Sequence, residues 1–217
     1  MSGVRDYLAW HEQYDDPRSS LPRRLALVRE MLRSELDART GPVRVVSLCA
    51  GDGRDILGVL AGREDAARVS VTLVEVLPDL VERARRAAAE VAADVEVVAA
   101  DAGSSATYTG LATVPADIVL LVGVLGNISD ADVAATVAAM PRLCAPGAAL
   151  VWSRGRSLES TDDFVTPVRE AFATAGFAEV STRSIDEKED RAALGVVRFD
   201  GPPAPLGPTE RWFTFRG

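Results

Sequence analysis

The sequence predicts an α/β protein: a three-layer sandwich with helices on both faces of a mostly parallel, seven-stranded sheet. Two observations carry this. From residue 43 onward, short apolar runs alternate with longer amphipathic stretches, the rhythm of parallel strands joined by crossover helices. Near the C-terminus the apolar runs become closely spaced with no helix between them, which places antiparallel hairpins at one sheet edge.

The chain opens with two expected helices, at 4–16 and 21–38, separated by Asp16-Pro17-Arg18-Ser19-Ser20. In the second, Leu25, Val28, Leu32 and Leu36 recur at three- and four-residue spacing and give one apolar face. Gly41-Pro42 stops it. Five strands are expected at 43–48, 69–75, 95–100, 117–122 and 148–153, with helices at about 53–62, 78–92, 130–143 and 161–175. Gly147 and Gly176 follow two of these helices as capping residues. Further strands are expected at 178–185, 193–199 and 210–215, with the four prolines of 201–208 forming a stiff loop. There is no internal repeat and no linker. Residues 1–40 are expected to form a helical lid and 41–217 the main domain.

Bulk properties exclude several classes. With 217 residues and 47% hydrophobic content the chain suits one sizeable core. No stretch approaches the 18 apolar residues of a membrane span, and no apolar signal region follows Met1, so a cytoplasmic protein away from membranes is expected. Cys49 and Cys144, widely spaced and accompanied by a single histidine, suggest neither a disulfide framework nor a metal site. A net charge of -8 disfavours nucleic acid as a partner, because phosphate binding needs a concentrated basic face.

The decisive segment is Val45-Val46-Ser47-Leu48-Cys49-Ala50-Gly51-Asp52-Gly53-Arg54-Asp55. An apolar strand runs into two glycines spaced by one residue and then into a helix. Glycine lets the backbone turn tightly and lets a ligand approach the main chain. Taken alone, such a turn is equally a plain strand-to-helix connection. Two more strands end in acids. Val71-Thr72-Leu73-Val74-Glu75 places a carboxylate where it can accept from ribose hydroxyls, and Val97-Val98-Ala99-Ala100-Asp101 places one where it can accept from an adenine amine. A nicotinamide dinucleotide needs a small residue at the third position of the fingerprint, which here is Ile56. A ligand with ribose and adenine but no pyrophosphate fits better.

These residues resemble the class I S-adenosylmethionine-dependent methyltransferases, a Rossmann-like family, over roughly residues 40–217. The resemblance implies S-adenosylmethionine as cofactor and S-adenosylhomocysteine as product. It implies that Gly51 and Gly53 adjoin the cofactor's methionine part, Glu75 its ribose and Asp101 its adenine. Cys49, Ala50, Asp52, Asp55, Val76, Ala102, Gly123 and Val124 then fall to neighbouring cofactor contacts. The run Leu121-Val122-Gly123-Val124-Leu125-Gly126-Asn127-Ile128 is similar to the segment that lines the transfer site in this family. Family members often carry an acid where Ser47 stands and a glycine where Cys49 stands. The cofactor's ammonium therefore needs another partner, with Asp52 and Asp55 nearby, although Asp55 equally suits a helix cap. The Asn/Asp-Pro-Pro-Tyr arrangement of many amine-modifying members does not follow strand four.

The resemblance further implies that the N-terminal helices cover the cofactor. Tyr14 and Arg24 are the candidates for its methionine end, Arg24 through the carboxylate. A solvated surface helix is the plain alternative. His11, the only histidine, is the candidate base for a hydroxyl acceptor, with Tyr14 beside it as a second candidate catalytic residue; a plain surface histidine is the alternative. The expected function is methyl transfer to oxygen or nitrogen of a small-molecule acceptor by a monomer or homodimer. The competing readings are a catalytically silent S-adenosylmethionine-binding module and an NAD(P)-dependent oxidoreductase. An aminopropyltransferase ranks last, since Asp130 and Asp132 are placed to start a helix.

Overall fold

A computed structural model describes residues 7–16, 18–156, 162–187 and 190–216 of the chain. Residues 4–6 of the first expected helix and residue 161 of the last lie outside the described residues, as does Pro17.

Val43–Leu48 forms the central strand β1. Val69–Glu75 (β2), Asp94–Ala99 (β3), Ala116–Leu121 (β4) and Cys144–Arg156 (β5) run parallel with it in one sheet. Phe177–Glu187 (β6) and Asp190–Phe199 (β7) complete the order β3-β2-β1-β4-β5-β7-β6, with β7 antiparallel to both neighbours. The chain leaves β1 toward β2 on one side and enters β4 on the other. That reversal opens a crevice beyond the carboxyl ends of the strands, where ligands bind in such sheets.

The residues of β1 explain its central place. Val43 and Val45 belong to the apolar cluster on one face, and Val46 and Leu48 to the cluster on the other. Alternate side chains of a strand point to opposite faces, so a strand covered on both sides must be apolar throughout. The first layer is built by α2 (Leu21–Asp37), α3 (Ile56–Leu60) and α4 (Pro78–Ala88). Val28, Leu32 and Leu36 of α2 pack there with Ile56, Leu60 and Ala84. The second layer is α5 (Asp130–Ala139) and α6 (Thr166–Thr174), whose Val133, Val137, Val168 and Phe172 meet Val119, Leu121 and Trp152. Ahead of α2, a short α1 (Tyr7–Glu12) and a 3-10 turn (Gln13–Asp15) lie at the carboxyl end of the sheet.

Three expectations are corrected. The segment 210–215 is not a strand: Arg211 and Phe215 make only isolated bridges, to Ser104 and Ile128. Its adjacent aromatic residues Trp212 and Phe213 are instead buried against the second layer, where Trp212 stacks on Tyr108 at 5.1 Å between ring centroids. The helix expected at 53–62 spans only Ile56–Leu60, because Gly53, at φ +73°, still belongs to the turn. The helix expected at 161–175 begins at Thr166, with proline in its first turn.

Candidate active site

A cavity of about 680 Å³ lies over the carboxyl ends of β1, β2, β4 and β5. Pockets of this size enclose most of a drug-sized ligand. Cys49, Ala50 and Gly51 line it after β1, Glu75 and Leu77 after β2, Val122 and Gly123 after β4, and Ser153 and Gly155 from β5.

Glu75 organises this floor. Its Oε2 accepts from the Gly51 N–H at 2.8 Å, and its Oε1 accepts from Val76 N–H and Leu77 N–H at 2.8 and 2.9 Å. The side chain is 6% exposed and faces the cavity. The glycines serve different needs. Gly51 sits at φ +60°, and a Cβ there would lie 2.4 Å from Nε2 of His11, so the histidine packs directly on it. Gly53 sits at φ +73°, and a Cβ would lie 2.7 Å from Leu73 Cδ1. Cys49 holds φ +51° without being glycine, the left-handed region in which a Cβ is strained. Burial pushes its thiol well above the usual range, so it stays protonated.

The two candidate acids of the turn separate. Asp52 is bonded by the Arg54 guanidinium at 2.6–3.0 Å and does not line the cavity. Asp55 does line it, 9% exposed, with Oδ1 accepting from the Ile56 N–H at 2.7 Å. It therefore serves as a cap and also presents a carboxyl group to the cavity. Burial, with Asp52 as a lesser cause, raises its pKa to about 6.

From the N-terminal segment Trp10, His11 and Tyr14 form one aromatic group, with ring centroids 5.2–5.8 Å apart between Tyr14 and its two neighbours. All three line the cavity. His11 is not a surface residue: it is 6% exposed, its Nε2 lies 3.8 Å from Asp52 Oδ1, and its buried Nδ1 has no hydrogen-bond partner among the described residues. Burial lowers its pKa against the pull of Asp52, so the imidazole is neutral at pH 7. Burial raises the Tyr14 phenol to about 12, and the Arg54 guanidinium lies over its ring at 4.6 Å. Arg24 also faces the cavity, from the first turn of α2, beside the backbone of Gly155. The rest of α2 packs on the sheet, whereas α1 and its 3-10 turn line the cavity.

Other expected residues stand elsewhere. Asp101 does not line the cavity; its carboxylate accepts from Gly103 N–H and pairs with Arg211. Val76 points outward at 56% exposure, Ala102 and Val124 are buried in the second-layer core, and Gly53 lies beneath the turn. Asp130 and Asp132 occupy the first turn of α5, where Ser129 caps Asp132 N–H and Asp130 pairs with Arg154.

Several contributors carry no local signal in the sequence. Arg29 of α2 donates from Nε and Nη2 to the Arg54 carbonyl at 3.0 and 2.6 Å, strapping the turn to the helix. Ser153 Oγ accepts from Gly123 N–H at 2.9 Å; Asn127, which belongs to the run expected to line the transfer site, donates from Nδ2 to the Gly123 carbonyl at 2.6 Å. Phe215 and Arg216 line the cavity from the C-terminal segment, Phe215 meeting Tyr7 at 5.2 Å between ring centroids. Leu77 and Leu80 also line the cavity and are absent from the sequence expectations, although their apolar character just after the acid of β2 is a local signal.

No family model matches the chain and no curated protein sequence matches it. Solved structures do match. The magnesium protoporphyrin IX methyltransferase ChlM of Synechocystis PCC 6803, with bound S-adenosylhomocysteine, is 15% identical at a TM-score of 0.66, covering 91% of this chain and 89% of that one. The CurJ carbon methyltransferase is 13% identical at 0.68, covering 90% of this chain and 59% of that one. The [4+2]-cyclase SpnF is 17% identical at 0.58, covering 85% and 81%. At these identities the likeness shows the fold alone. That fold is the Rossmann-like fold of class I S-adenosylmethionine-dependent methyltransferases, with its antiparallel C-terminal hairpin. Among the described residues no helix is long and apolar enough to cross a membrane.

Proposed function

We propose that this protein is a cytoplasmic enzyme that transfers a methyl group from S-adenosylmethionine to oxygen or nitrogen of a small-molecule acceptor. The observation that carries the reading is the buried Glu75 carboxylate, fixed by three backbone N–H groups and facing a cavity at the switch point of the sheet. A carboxylate has about four acceptor sites, so three bonds leave one on Oε2 for a ribose hydroxyl. Leu77 and Leu80 give that end of the cavity an apolar wall suited to an adenine ring. Gly51 lets His11 pack against the turn, and Tyr14 and Arg24 line the same cavity for the methionine end. When bound, the cofactor supplies an electrophilic methyl on a sulfonium.

The remaining work belongs to the chain. In-line displacement profits from positioning and exclusion of water, and α1 with its aromatic group covers the cavity. His11, held neutral, is placed to take a proton from an acceptor hydroxyl, whereas Tyr14, held as a phenol, donates a hydrogen bond. Asp101, paired with Arg211 and outside the cavity lining, keeps acceptor sites for an adenine amine that extends that far.

The test is incubation with S-adenosylmethionine carrying a labelled methyl group, together with separate panels of phenols, carboxylic acids and amines. Label in one panel with stoichiometric S-adenosylhomocysteine is the expected result. Tight cofactor binding without transfer to any panel favours the silent binding module instead.

A further inference from the structure

We infer that Asp55 replaces the missing acid of β1 and holds the α-ammonium of the cofactor. The inference rests on the proposed S-adenosylmethionine site and adds a residue-level account of how this chain completes it. The family's acid position is Ser47, whose side chain shares the parity of Val43 and Val45, is 2% exposed and does not line the cavity. A substituted cation site must therefore come from another carboxylate near the Gly-x-Gly turn. Asp52 is spent on Arg54, and Glu75, held by three backbone N–H groups, keeps its remaining acceptor site for the ribose. Asp55 is the remaining acid of the turn, nine-tenths buried, on the cavity wall, with no ion pair among the described residues. Its Oδ1 accepts from the Ile56 N–H, and the carboxyl group keeps acceptor capacity for a ligand in the cavity it lines.

The charges around it are mixed. Asp52 faces it from the turn, Arg29 from α2 and Tyr14 from the 3-10 turn, while Arg24, Arg54 and His11 line the same cavity. Arg29 is committed to the Arg54 carbonyl, so it solvates the carboxylate only at a distance. A buried carboxylate in that setting lacks a close cation, and an ammonium delivered by a ligand supplies it.

Titration calorimetry with S-adenosylhomocysteine and with its analogue lacking the amino group tests the assignment. Wild-type protein is expected to favour the amine-bearing ligand by about 10- to 100-fold, the usual scale of a charged hydrogen bond. Asp55→Asn keeps the acceptor for Ile56 N–H and is expected to bind both ligands equally, whereas Ser47→Ala keeps the wild-type preference. At pH 6, wild-type binding is expected to release protons, read from the dependence of the enthalpy on buffer, and Asp55→Asn is not. An undiminished amine preference in Asp55→Asn, or a preference lost in Ser47→Ala, overturns the assignment. Failure of the wild type to bind either ligand overturns the cofactor reading itself.

Discussion

Replacing Glu75 with Gln changes one atom and removes an arrangement that an amide cannot reproduce. The carboxylate accepts from Gly51 N–H on one oxygen and from Val76 and Leu77 N–H on the other. A Gln carbonyl placed at the second position turns its NH2 toward the Gly51 N–H, and the reverse placement sets it against two donors. At least one buried donor loses its partner, at about 1–3 kcal/mol, and the surviving bonds fall from charged to neutral strength, roughly 0.5–1 kcal/mol each. The total is about 2–5 kcal/mol, a lowering of Tm by about 4–20 °C for a chain of this size. Thermal unfolding followed by circular dichroism at pH 7 reads it directly. A Glu75→Gln protein melting within about one degree of wild type refutes the three-bond arrangement, and with it the reason Gly51 is held where it is.

Cys49→Gly is expected to change stability by less than about 1 kcal/mol, because relief of the left-handed strain offsets lost burial and added chain entropy. Cys49→Val is expected to cost more than about 2 kcal/mol, since a β-branched residue fits φ +51° worst; urea unfolding that ranks Val above Gly contradicts this. Arg29→Met removes both donors to the Arg54 carbonyl and is expected to cost about 1–2 kcal/mol and speed amide exchange across residues 49–55; unchanged exchange contradicts the strap. The pH dependence has two opposed parts. His11 has a folded pKa below 6.5, so the unfolded chain binds more protons and stability is lost as pH falls below 6.5. Asp55, raised from 3.8 to about 6, binds more protons when folded, so stability is lost as pH rises from about 4 to 6. Removing that titration makes Asp55→Asn more stable than wild type at pH 7 by on the order of 2–3 kcal/mol, while ligand binding weakens. A variant less stable than wild type at pH 7 contradicts it.

What could be read in advance was local in sequence. The central strand, the glycine turn and Glu75 lie within 33 residues, and each announces itself by period or by glycine spacing. Strand ends are fixed by register, so the acid closing β2 had to point out of the sheet's carboxyl edge. Asp101 follows the same rule by position, yet β3 is the sheet edge and its neighbour Arg211 arrives from the C-terminal segment, 110 residues away. That pairing has no trace in the local pattern. The same long reach hid Arg29, Ser153 and Phe215, which enter the site through packing of α2, β5 and the tail. His11 read more readily as a plain surface residue, because its burial depends on docking of α1 over Gly51 rather than on any periodicity of its own. The segment 210–215 is rich in aromatic residues and so read as a strand, but β7 and β6 already fill that side of the sheet, and Trp212 and Phe213 are buried in the second layer instead.

The central claim is that this cavity is an S-adenosylmethionine site, and titration calorimetry with S-adenosylhomocysteine, run beside NADH, tests it most directly. The account predicts micromolar binding of S-adenosylhomocysteine at one site per chain and no heat from NADH. Binding of NADH alone, or of neither ligand by a folded protein, contradicts it.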